Sequence, residues 1–246
     1  MSYLLQLAMQ EELQLNRMPE QRGILAVSIG IPKVEAPPPS LLDIAVTGIG
    51  KVAAATVVSS FLTLGRGKSG VVSLGYCGAL SENLRIGDVF VPTSLFQRDY
   101  GACTLRGEWL ARPGQRTLQY ENHSFDSVLY HPDQSLVDRL ITACSNAELP
   151  VVTGVLASGD RFLALPEIKA STDNKVHADA IDMESAAVAQ ACELHETPFA
   201  ALRTISDLNT GTREAEYLSS IINVNLRYTA VLNAVINALT NTQNTE

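Results

Sequence analysis

A chain of 246 residues is long for one domain yet too short to require two, so a single α/β unit is the default. With 46% apolar and 18% charged residues it can bury a large core, which excludes a disordered chain. The net charge of −8, from 18 basic and 26 acidic residues, has the wrong sign for a nucleic-acid backbone binder and favours small-molecule chemistry. Cys77, Cys103, Cys144 and Cys192 form no CxxC pair, and the histidines show no HxxxH or HExxH spacing. Neither zinc nor redox chemistry is signalled, and the thiols are expected to be reduced and mostly buried. The stretch from Met1 to Met9 has no basic residue and contains Gln6, so it reads as a strand rather than a signal peptide. No apolar run approaches a membrane span, and a cytoplasmic location is the expectation.

Short apolar segments alternate with stretches of helical period, the pattern of a mostly parallel or mixed sheet flanked by helices. Strands are predicted over 3–8, 24–29 and 42–46, with a short helix over 10–16 and Pro37-Pro38-Pro39 forbidding regular structure between the second and third. A helix over 51–64 leads to a buried strand over 70–75 and another over 86–96. Residues 97–132 hold turn formers and the single Trp109 but few periodic apolars, as loops that cover a site or face a partner often do. Beyond them come a helix over 134–147, strands over 151–157 and 180–183, a helix over 184–193, a strand over 199–206 and a closing helix over 214–239. One domain over 1–240 and a polar tail over 241–246 are expected.

In open α/β sheets ligands bind beyond the carboxyl ends of the strands. Here those ends carry Met9-Gln10-Glu11-Glu12, Gly75-Tyr76-Cys77-Gly78, Ser158-Gly159-Asp160-Arg161-Phe162 and Ser206-Asp207. Asp182-Met183-Glu184 passes from a strand into a helix, and Thr47-Gly48-Ile49-Gly50-Lys51 joins a strand to a helix through glycines. Singly each is weak. A GxG turn without its third glycine is an ordinary tight connection, and Lys51 followed by Val52 is no phosphate loop. An acid in a first helical turn usually serves the helix dipole. Acids at three strand ends, two of them with no basic neighbour, are harder to explain that way.

Taken together and in order, these blocks resemble the purine nucleoside phosphorylases and nucleosidases, most strongly the 5′-methylthioadenosine/S-adenosylhomocysteine nucleosidases. The resemblance runs from residue 8 to residue 209 and leaves 97–132 largely outside. It implies a nucleoside phosphorylase-like fold, a purine nucleoside substrate, no metal or organic cofactor, and a homodimer in which residues 97–132 help close a neighbour's 5′ pocket. It also implies roles. Asp207 is the acid to purine N7 and Glu12 the base for water. Glu184 holds the ribose hydroxyls, with Met183 packed beneath the sugar. Phe162 stacks on the purine while the backbones of Phe162 and Leu163 read its edge. Ser206 orients Asp207, and Met9 and Ile49 line the 5′ pocket.

Against each role stands a plainer one: a core phenylalanine, a core methionine, a strand-end hydroxyl bonded to backbone. Arg203 reads as half of a structural ion pair. Asp88 and Asp160 read as turn carboxylates that bond nearby amides. Lys51 reads as a structural or exposed lysine.

Hexameric phosphorylases hold phosphate with an arginine after the first strand and another in Arg-x-Gly-Ser. This chain has Glu11 and Glu12 in the first place and Ser73-Leu74-Gly75-Tyr76 in the second, so hydrolysis is expected rather than phosphorolysis. Tyr76 also departs from the nucleosidases, which usually carry a small residue there, and a phenol at this position would narrow the site or bring a hydroxyl near the water. Arg161 is a further departure, read as extending into solvent. The alternatives are a phosphate-dependent phosphorylase, a futalosine-type nucleosidase and a catalytically silent nucleoside-binding protein. A binding protein has no need of both an acid and a base.

Overall fold

The computed structural model describes residues 2–9, 12, 25–29, 42–64, 68–103, 109–111, 129–161, 178–208 and 213–240, with 25–29, 101–103, 109–111 and 213–223 described by their backbone path. Three strands open the chain: β1 (Tyr3–Leu7), β2 (Leu25–Ile29) and β3 (Leu42–Val46). Helix α1 (Lys51–Thr63) leads to β4 (Gly70–Ala79) and β5 (Val89–Gln97). Next come the short β6 (Gly101–Cys103) and β7 (Trp109–Ala111), then α2 (Gln134–Asn146) and β8 (Val151–Ser158). The chain closes with β9 (Ala180–Asp182), α3 (Ser185–Leu194), β10 (Phe199–Leu208) and α4 (Arg213–Thr240).

Eight of these strands make one mixed sheet in the order β10-β5-β8-β9-β4-β1-β3-β2, as the alternating pattern predicts. The sheet is more than an open one. β10 pairs with β4 in parallel and with β5 antiparallel, while β9 pairs antiparallel with β4 and parallel with β8. Because β5 also runs parallel to β8, five strands close into a ring from which β1, β3 and β2 extend in parallel. Closure draws the ends of β4, β8, β9 and β10 together, strands whose sequences are separated by up to 130 residues in direct bonded contact.

Apolar layers cover the two faces. On α1, Ala54, Val57, Val58 and Phe61 recur at helical spacing and bury against β4, β5 and α3. On the other side α2 and α4 present Leu136, Leu140, Tyr228, Leu232 and Val235 to β1, β3, β4 and β10. Asp133 caps α2 by accepting from the Leu136 amide at 3.0 Å, satisfying one of the donors a helix start leaves open.

Two strands run further than their composition predicts. β4 continues through Tyr76 to Ala79, and β10 continues to Leu208 with a register shift between Ile205 and Asp207. This bulge pairs Asp207 with Gly78, the register place that Ser206 would hold in a regular strand. Arg203 pairs with Gly75, so register assigns Arg203 and Asp207 to opposite faces, where simple alternation over four residues would give one face. Of the expected helix over 10–16, only Glu12 is among the described residues, in a short 3₁₀ turn. The expected tail over 241–246 lies outside them.

Candidate active site

The turn after β1 fixes Glu12. Its Oε2 accepts from the amides of Ala8 at 2.7 Å and Met9 at 2.9 Å, and the residue is 2% exposed. Oε1 lies over β4, where a Cβ on Gly75 would stand 2.8 Å from it and 3.4 Å from Arg203 Nη1. Only a glycine allows this approach. Burial raises the proton affinity of Glu12, opposed by backbone hydrogen bonds from Met9, Ala8 and Tyr76 and by the charge of Arg203.

Arg203 is the central cation. It is 1% exposed; its Nε donates to Asp182 at 2.9 Å, Nη2 to Ser73 Oγ at 2.7 Å and Nη1 to the carbonyl of Leu202 at 3.2 Å. Burial works against its charge, but Asp182, Glu184 and Glu12 outweigh burial and hold the guanidinium above its ordinary value. Asp182 also accepts from the hydroxyls of Ser158 and Ser185 and from the Ser185 amide, so it both caps α3 and anchors Arg203. Ser73 in turn donates to Gln6, which donates to Thr47. The structural ion pair expected of Arg203 is present, and its partner is Asp182.

Glu184 reaches a different element. Its Oε1 accepts from the Gly50 amide at 2.9 Å, at the start of α1, while Asp160 accepts from the next amide, Lys51, at 2.8 Å. Gly50, at φ +99°, supplies the left-handed turn that aims both donors outward. Two carboxylates from elsewhere in the fold thus satisfy the positive end of a helix that has no side-chain cap of its own. Asp160 therefore caps a helix 109 residues away, where the sequence predicts a local turn. Asp88 does bond locally, to the Arg85 amide. Burial first, then the charges of Asp182 and Glu12, push the Glu184 carboxyl up to about 7, against Arg203 and the Gly50 amide.

Asp207 is 5% exposed at the bulge of β10. The Ser206 hydroxyl lies 2.9 Å from Asp207 Oδ2 and 3.2 Å from the Cys77 carbonyl, tying the carboxyl to β4. The Ser206 hydroxyl thus has both the contact that the resemblance implies, to Asp207, and the one its plainer reading implies, to backbone. Asp182, Arg203 and Asp207 all act electrostatically on Cys77, whose thiol is pushed well up by burial.

Of the other expected site residues, Met9 and Met183 are half-buried beside Glu12 and Glu184, and Ile49 is 56% exposed at the mouth of the α1 turn. Phe162 and Leu163 lie outside the described residues. Tyr76 turns its ring onto α4: it stacks on Tyr228 with centroids 4.5 Å apart, and its hydroxyl donates to Asn225 at 2.9 Å. The hydroxyl expected near the water is thus engaged on the helix. Lys51 pairs with Asp99 and, at 3.9 Å, with Asp160, and Arg161 is exposed, both as expected. Asn225 and Tyr228 were invisible as site neighbours, because an apolar helical stripe with a tyrosine in it reads as core.

Fold and site together define an α/β protein with a ring-closed mixed sheet, at whose strand ends Glu12, Asp182 and Glu184 gather around one buried arginine, with Asp207 at the bulge beyond it. A family model described as the phosphorylase superfamily matches residues 43–240, and the chain belongs to that family. It is 32% identical over 165 residues to a 5′-methylthioadenosine/S-adenosylhomocysteine nucleosidase of Haemophilus ducreyi, covering 66% of this chain and 65% of the relative, just under two thirds of its length. The nucleosidase of that name from Neisseria meningitidis, solved with methylthio-immucillin-A, superposes with a TM-score of 0.75 at 23% identity over 96% of this chain and 99% of that one. Futalosine hydrolase of Helicobacter pylori superposes with a TM-score of 0.72 at 24% identity, over 96% of each chain.

Proposed function

We propose that the chain hydrolyses the N-glycosidic bond of a 5′-modified adenosine, of the methylthioadenosine or adenosylhomocysteine type, and releases adenine. Breaking C1′–N9 leaves positive charge on the ribose and puts the bond's electron pair on the purine. Asp207 delivers a proton to N7, which takes up that charge. Water adds its oxygen to C1′ and gives a proton to Glu12, so nucleoside and water become free base and free sugar. Two carboxyls in different environments divide acid and base work as in inverting glycosidases. Glu184, ionised, holds the ribose hydroxyls and favours the cationic sugar.

The observation that carries this reading is the state of Glu12: buried, fixed through one oxygen by two amides, with its proton affinity raised. That is what a general base requires. The charge balance favours water over phosphate as nucleophile, since Glu12, Glu184 and Asp182 act on an arginine whose Nε, Nη1 and Nη2 already donate to protein. A phosphate dianion would meet repulsion there. As in the relatives' names, the 5′ group is a thioether. The resemblance also carries the proposal of a homodimer.

The test is incubation with methylthioadenosine, adenosylhomocysteine, adenosine, inosine and a nucleoside with an anionic 5′ arm, with and without phosphate, while free base is measured. Adenine released from the thioethers without phosphate is the expected result. Phosphate dependence would make the chain a phosphorylase, preference for the anionic arm a futalosine-type enzyme, and binding without release a silent binder.

A further inference from the structure

Tyr228 of α4 is fully buried, and its hydroxyl has no hydrogen-bond partner among the described residues. An unmatched buried hydroxyl costs about 1–3 kcal/mol, and phenylalanine would fill the same space without that cost. The tyrosine beside it is different, since the Tyr76 hydroxyl donates a hydrogen bond to Asn225. The stack of the two rings at 4.5 Å sets Tyr228 beside Tyr76 on β4, next to Gly75, whose Cβ position is 2.8 Å from Glu12 Oε1. We propose that Tyr228 is a positioning residue of the reaction, whose hydroxyl and the Glu12 carboxylate hold the attacking water between them.

The surroundings of the phenol agree with this. Glu12 and Arg203 act electrostatically on the phenol, yet neither bonds to it directly. A buried hydroxyl left without a protein partner beside a carboxylate is one that an ordered water can satisfy. Such a water donates one hydrogen to Glu12 and accepts the phenol hydrogen, which leaves its second lone pair for C1′. The phenol transfers no proton, because burial holds it well above its ordinary value. Glu12 alone takes the proton of the water as the C–O bond forms.

The inference rests on Glu12 being the base, and the test separates the two. Tyr228→Phe, Glu12→Gln and the double variant are assayed for adenine release from methylthioadenosine, with thermal melting. Tyr228→Phe is expected to lower kcat about 10- to 100-fold with KM changed less than about 3-fold, and to melt no lower than the unsubstituted chain. The double variant is expected to be no slower than Glu12→Gln, because both groups act on one water.

Full turnover in Tyr228→Phe beside an inactive Glu12→Gln overturns the role of Tyr228 and leaves the Glu12 reading standing. Additive losses, or a change in KM alone, overturn it too. Wild-type turnover in Glu12→Gln, or no base release by the unsubstituted chain, overturns both. Val231→Ala loosens the same helix face without touching the hydroxyl, and an equal loss of kcat there would reduce the Tyr228 effect to packing.

Discussion

Arg203 Nε and Asp182 Oδ2 stand 2.9 Å apart, with side chains 2% and 1% exposed, and this pair supports the remaining acids of the site. Removing one member of a buried pair strands the other charge, at a cost of about 3–5 kcal/mol. Arg203→Met is therefore expected to lose that much stability in urea unfolding. Arg203→Met with Asp182→Asn should regain a substantial part of it, since the carboxylate bonded directly to the guanidinium is then uncharged. A double variant as unstable as the single would mean that Asp182 is not the partner that matters.

Glu12→Gln keeps the shape of the side chain and an oxygen for the Ala8 and Met9 amides, but cannot take a proton. Turnover should fall by about 10² to 10⁴, the usual worth of a positioned base, with melting little changed. Adenine release at saturating nucleoside is the measurement.

Gly75→Ala reaches the same carboxyl from the other side. Its Cβ would need the space 2.8 Å from Glu12 Oε1, so Glu12 must move. The expected result is a folded protein with kcat reduced at least about 10-fold, because small misplacements of a reacting group cost that much. Circular dichroism beside steady-state rates would check it.

At the bulge, Asp207→Asn removes the acid and should cost about 10² to 10⁴ in kcat. Ser206→Ala removes only the hydroxyl that ties Asp207 to the Cys77 carbonyl and should cost less, about 10-fold. Equal losses would show that Ser206 does more than orient its neighbour.

Glu184 gives a pH dependence of definite sign. Its carboxyl is raised from 4.5 to about 7 in the fold, so between those values the folded chain holds a proton that the unfolded chain has lost. Its contribution to stability is full below 4.5 and disappears as the pH rises through about 7. Glu184→Gln has no such proton, and should gain stability relative to wild type from about pH 5 to pH 8. Activity runs the other way. In the proposed reaction it is the ionised form that holds the ribose, so wild-type KM should rise as the pH falls below about 7.

The elements were legible because each announces itself locally. The helical runs of α1 and α2 and the β-rich runs of β4 and β10 all appear in the structure within a few residues of their predicted limits. The motif at Ser206-Asp207 was legible as well, because a hydroxyl beside its acid needs nothing from the rest of the chain. Asp160 misled, since a Gly-Asp pair looks the same whether its carboxylate closes its own turn or caps α1.

Sequence by itself determined the kinds of element, their order, the apolar faces and which acids fall at strand ends, all of which depend on residues near one another in the chain. Only the tertiary structure decided that five strands close into a ring, that the β10 bulge pairs Asp207 with Gly78, and that Arg203 lies between Asp182 and Ser73. It alone stacked Tyr228 of α4 on Tyr76, beside the strand residue that Glu12 approaches. The reason is physical: ring closure and charge pairing draw their energy from groups that meet only after the chain has folded, so no local pattern records them.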